Sequence, residues 1–225
     1  MLDANANARL ASARKILSSV FQTFSPSSVL DIGCGHGAWL QAAKELGADT
    51  ILGVDGPWIN PSELLIPQSC FLSQSLESPL DLGQQFDLVI SLEVAEHLPK
   101  AVADVFVDSL VRHGNIILFS AAIPFQGGNG HVNEQWQSYW AHKFSQKHFV
   151  ALDLIRPMFW GDTQILWWLK QNVIVYLKEE KISRWPSVKN AITENLDLLS
   201  TVHPDLYLDW VERAGDLFFN RPKEQ

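Results

Sequence analysis

Ser28-Val29-Leu30-Asp31-Ile32-Gly33-Cys34-Gly35-His36-Gly37-Ala38 is the stretch whose reading decides the fold. A short apolar run enters a turn with glycine at every second position. An amphipathic segment then continues to Leu46 and is closed by Gly47. Strand, glycine turn and helix in that order make a place where backbone comes close to a ligand.

Outward from this unit the same alternation continues. Upstream, Leu10, Ala13, Ile16, Leu17, Val20 and Phe24 recur at spacings of three and four, which predicts a helix over 9–24, stopped by Ser25-Pro26-Ser27. Downstream, strands are expected at 51–54, 70–72, 86–92, 116–121, 149–155 and 172–177. A helix with Pro99 in its first turn is expected to carry Val102, Val105, Phe106 and Leu110 to a Gly114 cap. A second, with Asn133 as N-cap, is expected to bury Trp136, Trp140 and Phe144. Such alternation implies an α/β fold, a doubly wound and mostly parallel sheet with helices on both faces.

One domain over 1–225 is the expected organisation. It comprises an N-terminal helical region (1–27), a Rossmann-like core (28–180) with an aromatic insertion (157–170), and a helical tail (181–225). Trp160, Trp167 and Trp168 of the insertion are expected to meet substrate or a second subunit. The run 201–207 is expected to be a helix-breaking turn without chemistry.

A net charge of −8 argues against a broad grip on nucleic acid, which needs clustered Lys and Arg. The two cysteines, Cys34 and Cys70, suit a reducing compartment better than a disulfide framework. No run reaches the length of a membrane span, and no signal-peptide core is evident at the N-terminus. A cytoplasmic monomer or homodimer is expected.

The glycine turn admits two cofactor classes. Gly33, Gly35 and Ala38 satisfy the dinucleotide spacing, with Asp55 suitably placed for a ribose hydroxyl. Asp31, two residues before Gly33, decides against a nicotinamide or flavin, since a carboxylate there would repel pyrophosphate. S-adenosylmethionine carries no phosphate and presents a cationic sulfonium and amino group, which Asp31 would attract.

Residues 29–37 resemble the first motif of class I S-adenosylmethionine-dependent methyltransferases, and 86–98 resemble their fourth strand and the turn after it. The resemblance covers about 28–122 and implies a seven-stranded sheet with a reversed last strand. It also implies cofactor contacts at Gly33, Cys34, Gly35 and Gly37, at Asp55 and Gly56, near Ser75 and Leu76, and at Leu92 and Glu93. The family commonly has an acid where Ser75 and Leu76 stand, so Glu77 or backbone would have to serve the adenine.

Methyl transfer is an in-line displacement, and its main demand is an acceptor held about 3–3.5 Å from the methyl. A hydroxyl acceptor gains from a general base, usually His. His131, after the glycine-rich run 127–130, is the expected base, with His97 and Glu93 supporting. Glu93, Glu96, His97 and His131 also have the ligand types of a Mg or Mn site, though a metal is not favoured. Small-RNA 3′-end and ubiquinone-pathway methyltransferases, which the pattern resembles, use such a cluster, and the acidic balance counts against an RNA substrate. The expected activity is O-methylation of a small-molecule, sugar or secondary-metabolite acceptor. The alternatives are a metal-assisted O-methyltransferase, an NAD(P)-dependent oxidoreductase and an inactive cofactor-binding scaffold.

Overall fold

Strand side chains alternate between two apolar cores, and this explains the layers. β1 (Ser28–Ile32) sends Val29 to one face and Leu30 and Ile32 to the other. β4 (Leu88–Leu92) divides Leu88 and Ile90 from Val89, and β5 (Ile116–Ser120) divides Leu118 from Ile117 and Phe119. All of these side chains are buried, so both faces of the sheet need a cover. α1 (Ala4–Phe24) and α2 (Ala38–Glu45) supply it on one side through Ile16, Leu17 and Leu40. α3 (Ala103–His113) and α4 (Gln137–Ser145) supply it on the other through Phe106, Leu110, Trp140 and Phe144. The structure, a computed structural model, describes residues 4–219, with side chains over 7–214. The ends of the expected helical termini, 1–3 and 220–225, lie outside the described residues.

The remaining strands are β2 (Thr50–Asp55), β3 (Phe71–Ser73), β6 (Phe149–Leu152) and β7 (Ile174–Lys178). The seven form one sheet in the order β3-β2-β1-β4-β5-β7-β6. β3, β2, β1, β4 and β5 run parallel, while β7 is antiparallel to both β5 and β6. The reversed last strand is therefore as the motif resemblance implied. Strand order changes direction between β1 and β4, which opens one crevice at the carboxyl ends of the parallel strands.

Several local expectations are corrected. Pro99 does not open the long helix: Leu98, pushed extended by the proline after it, is followed by a 3-10 turn over Lys100–Val102, and α3 starts at Ala103. Asn133 is no N-cap, because its side chain turns inward to the Ala95 carbonyl at 3.4 Å; Trp136 precedes the first helical residue, Gln137. Trp136 therefore stays 42% exposed, while Trp140 and Phe144 are buried. The insertion folds as two short helices, α5 (Ile155–Phe159) and α6 (Trp167–Asn172), which add Ile155 and Leu169 to the α1-side core.

Trp160, Trp167 and Trp168 are half-buried; the Trp160 ring packs 4.7 Å from that of His203, and Trp167 and Trp168 meet edge to face. The tail begins as 3-10 turns over Glu179–Arg184, Pro186–Ala191 and Leu196–Leu199 rather than as helix. Pro204 then starts α7 (Pro204–Phe219), so the 201–207 run launches a helix where a break was expected.

Candidate active site

Backbone geometry makes the glycine turn. Gly33, Gly35 and Gly37 have φ of 87°, 52° and 84°, a region that side chains other than glycine enter at a cost. A Cβ on Gly33 would also collide with Val94. Asp55, at the end of β2, clamps the turn: Oδ2 accepts the Gly35 N–H at 2.7 Å and Oδ1 accepts that of Gly56 at 2.6 Å. The Trp58 ring lies against Gly56 and is otherwise exposed.

Asp31 is 1% exposed, and its Oδ2 has no hydrogen-bond partner. Burial, reinforced by the charge of Asp55, pushes its carboxyl well above the usual carboxylate range. An orphaned buried carboxylate beside a second one suits a ligand that brings positive charge, and a pyrophosphate does not fit it. Cys34 is turned differently: its Sγ lies 2.6 Å from where a Cβ on Gly53 would stand, so the side chain packs between β2 and the turn. Its N–H donates to the Val54 carbonyl at 3.2 Å. Leu76 and Leu92 are buried, and Ser75 is exposed, with its Oγ accepting the Glu77 N–H at 3.3 Å.

At the end of β4, Glu93 adopts φ 55°, and both oxygens of its carboxylate are taken up by side-chain donors. Oε1 accepts from Ser120 Oγ at 2.7 Å and Asn172 Nδ2 at 3.2 Å, and Oε2 from Gln126 Nε2 at 3.0 Å. Burial raises its pKa, against the pull of these three bonds. The set of four metal-ligand types that the sequence offered, with no metal favoured, is thereby reduced by Glu93. Among the described residues only Glu96, His97 and His131 bring ligand atoms within 4.8 Å of one another. Glu96 is 1% exposed with Oε2 unpartnered, and burial, with the nearby Glu93 charge, holds its pKa well above the usual value.

The 121–136 segment brings His131 to this point. Its Val132 and Asn133 N–H groups donate to the Glu96 carbonyl at 2.8 and 3.0 Å. His97 Nδ1 lies 3.3 Å from the Gly130 carbonyl, and the two imidazoles meet edge to face with centroids 4.9 Å apart. Burial holds the His97 imidazole below its usual value. His131 Nδ1 sits 2.9 Å from Glu134 Oε1. The Gly128 backbone crosses the His131 ring so closely that a Cβ there would meet Nε2.

Glu134, Gln126 and Asn172 are the residues that sequence reasoning did not single out. A carboxylate three residues after His131 was a readable signal for Glu134. Asn172 lies 79 positions from Glu93, and no local pattern announces that contact.

A family model described as a methyltransferase domain matches residues 3–171. The ubiquinone biosynthesis O-methyltransferase of Bartonella quintana (strain Toulouse) is 34% identical over 193 residues, covering 80% of this chain and 66% of that protein. Its counterpart in Bartonella tribocorum (strain CIP 105476 / IBS 506) is 33% identical over 206 residues, covering 88% and 72%. Among the first curated relatives matched, the aligned part spans from 30% to 66% of their own length. Magnesium protoporphyrin IX methyltransferase from Synechocystis PCC 6803 with bound SAH shares the fold at a TM-score of 0.56 and 17% identity, covering 79% of this chain and 88% of that one. No helix among the described residues is long and apolar enough to cross a membrane. With the sheet order, the glycine turn and the family match in agreement, the chain belongs to the class I S-adenosylmethionine-dependent methyltransferases.

Proposed function

We propose that the protein methylates a hydroxyl of a small-molecule acceptor, of the sugar or secondary-metabolite kind, with His131 as general base. The carrying observation is the 2.9 Å contact between His131 Nδ1 and Glu134. A carboxylate there favours the proton on Nδ1 and leaves the Nε2 lone pair to take the acceptor's proton. The two Bartonella relatives are named as O-methyltransferases, which supports oxygen as the acceptor atom.

S-adenosylmethionine, when bound, supplies the electrophilic methyl. Asp31 is assigned to its cationic amino group, Asp55 and Gly56 to the ribose, and the 33–37 turn to close backbone contact. Ser75 and Leu76 are assigned to the adenine side, Leu92 and Glu93 to cofactor contacts at the end of β4, and Glu93 and His97 support the base by ordering the floor beneath it. The test is turnover of labelled S-adenosylmethionine with a panel of phenols, sugars and hydroxy acids. Methylation at oxygen that disappears in His131→Ala, with SAH affinity retained, is expected. Undiminished turnover in that variant removes His131 from the chemistry.

A second reading rests on Glu96, His97 and His131, whose ligand atoms lie within 4.8 Å of one another. The unpartnered Glu96 Oε2 and the free Nε2 atoms of two histidines are a donor set that fits a divalent cation. An ion held there would lower the pKa of an acceptor hydroxyl as a Lewis acid. Loss of turnover on EDTA treatment, restored by Mg or Mn, supports it; turnover indifferent to EDTA eliminates it.

A further inference from the structure

A knot of side-chain amides joins the end of α6, just past the insertion, to the loop that carries His131. Asn172 Nδ2 donates to Glu93 Oε1 at 3.2 Å and to Gln126 Oε1 at 2.8 Å. Gln171 Nε2 donates to the same Gln126 oxygen at 3.2 Å and to Asn172 Oδ1 at 3.0 Å. Gln126 returns a bond to Glu93 Oε2 at 3.0 Å. Gln171 and Asn172 are 0% and 2% exposed, so their polar atoms depend on these partners.

The root of the knot is rigid. Both residues end α6, where the Gln171 carbonyl accepts from Gln137 Nε2 at 3.2 Å and the Gln171 Oε1 accepts the His203 N–H at 2.7 Å. Its other end is the residue just before the four-residue run Gly127-Gly128-Asn129-Gly130. That run has three residues at positive φ and every residue exposed, so it has little order of its own. Within it, the Gly127 N–H donates to Glu134 Oε1 at 2.9 Å and the Gly130 carbonyl lies 3.3 Å from His97 Nδ1, and two anchors bound it. Beyond it, Val132 and Asn133 are held on Glu96 by backbone bonds; before it, Gln126 is held by the amides.

We infer that Asn172 and Gln171 are positioning residues, whose amides fix Gln126 and thereby hold the 127–130 loop, with His131, over the methyl-transfer site. The end of α6 is then part of the catalytic apparatus by leverage, although its amides touch no reacting atom. This rests on the reading of His131 as base, but the loop's anchoring is measurable without any acceptor.

The test is hydrogen exchange of the full chain, read at 126–131 and at α1 as an internal reference. Asn172→Leu removes both donations, and an increase of about tenfold in exchange at 126–131, with α1 unchanged, is expected. Asn172→Asp keeps the shape and the bond from Gln171 but not the donations, and it is expected to match Asn172→Leu. Gln126→Ala, at a half-buried loop position, gives the same exchange pattern should the Asn172 variants fold poorly. The double variant Gln126→Ala/Asn172→Leu is expected to exchange no faster than either single one, the mark of one shared interaction.

On an acceptor found in the panel, kcat falls about tenfold while the KM for S-adenosylmethionine stays within about twofold. Unchanged exchange at 126–131, equal acceleration in α1, wild-type behaviour of Asn172→Asp, or a loss of cofactor affinity in proportion to kcat would each overturn the inference. If His131→Ala keeps its turnover while the exchange results hold, the base assignment fails and the anchoring stands.

Discussion

His131 and Glu134 are joined Nδ1 to Oε1 at 2.9 Å on non-helical backbone, three residues apart. The same carboxylate accepts the Phe125 N–H on Oε2 at 2.7 Å and the Gly127 N–H on Oε1 at 2.9 Å. One side chain thus orients the imidazole and folds the loop that covers it. Glu134→Gln replaces one acceptor oxygen by a donor, so kcat is expected to drop about 10–100-fold. SAH affinity measured by calorimetry stays close to wild type. An unaltered kcat would show the pair to be structural only.

Asp31 separates binding from stability. Asp31→Asn removes an unpaired buried carboxylate, and the ligand-free protein is expected to gain about 1–3 kcal/mol in urea unfolding. The same change removes the charge that holds a cation, weakening SAH about 10–100-fold. Equal SAH affinity in variant and wild type would refute the assignment.

The pH dependence of that difference follows from the direction of the Asp31 shift. Its carboxyl titrates above the unfolded value of 3.8, so between the two pKa values the native state keeps a proton that the unfolded chain has released. Its contribution is therefore favourable in acid and is lost as pH rises through that window. The stability advantage of Asp31→Asn is expected to widen from pH 4 toward neutrality, and SAH binding to wild type is expected to weaken on acidification. Unfolding curves at several pH values decide it; an advantage that shrinks with rising pH gives the wrong sign.

Gly33 tests the turn. Gly33→Ala must hold φ 87° and push a methyl into Val94, which costs about 2 kcal/mol or more. Val94→Ala in the same chain returns the steric part and leaves the backbone part. Thermal unfolding of the two variants against wild type checks this, and a fully tolerated Gly33→Ala would mean that the turn is not as described.

Arg156 tests how the tail docks. Its guanidinium is 3% exposed, pairs in a fork with Asp153 at 2.8 and 2.7 Å, and donates to the Leu199 carbonyl at 2.6 Å and Thr201 Oγ1 at 2.9 Å. Arg156→Met strands these acceptors and is expected to cost about 3 kcal/mol by urea unfolding. Arg156→Lys recovers only part, because an ammonium cannot span the fork. A neutral Arg156→Met would show that the segment is held by its apolar contacts alone.

Much of this protein was legible along the chain. Apolar runs buried on both faces announced β1, β4 and β5, and the order Asp31, Gly33, Gly35, Asp55 carried the cofactor class. Where reading failed, a distant contact outweighed a local preference. Asn133 is a good cap by type, yet its amide is taken by Ala95; Glu93 has the chemistry of a metal ligand, yet Ser120, Gln126 and Asn172 claim both its oxygens.

Sequence alone therefore determined the sheet, the glycine turn and the charge of the crevice, because these depend on periodicity, on φ and on residue type within a few positions. Only the tertiary structure decided which side chains serve the site and which support it. A carboxylate's role is settled by the donors that reach it, and those come from β5, the loop after it and α6, brought together by the packing of the sheet.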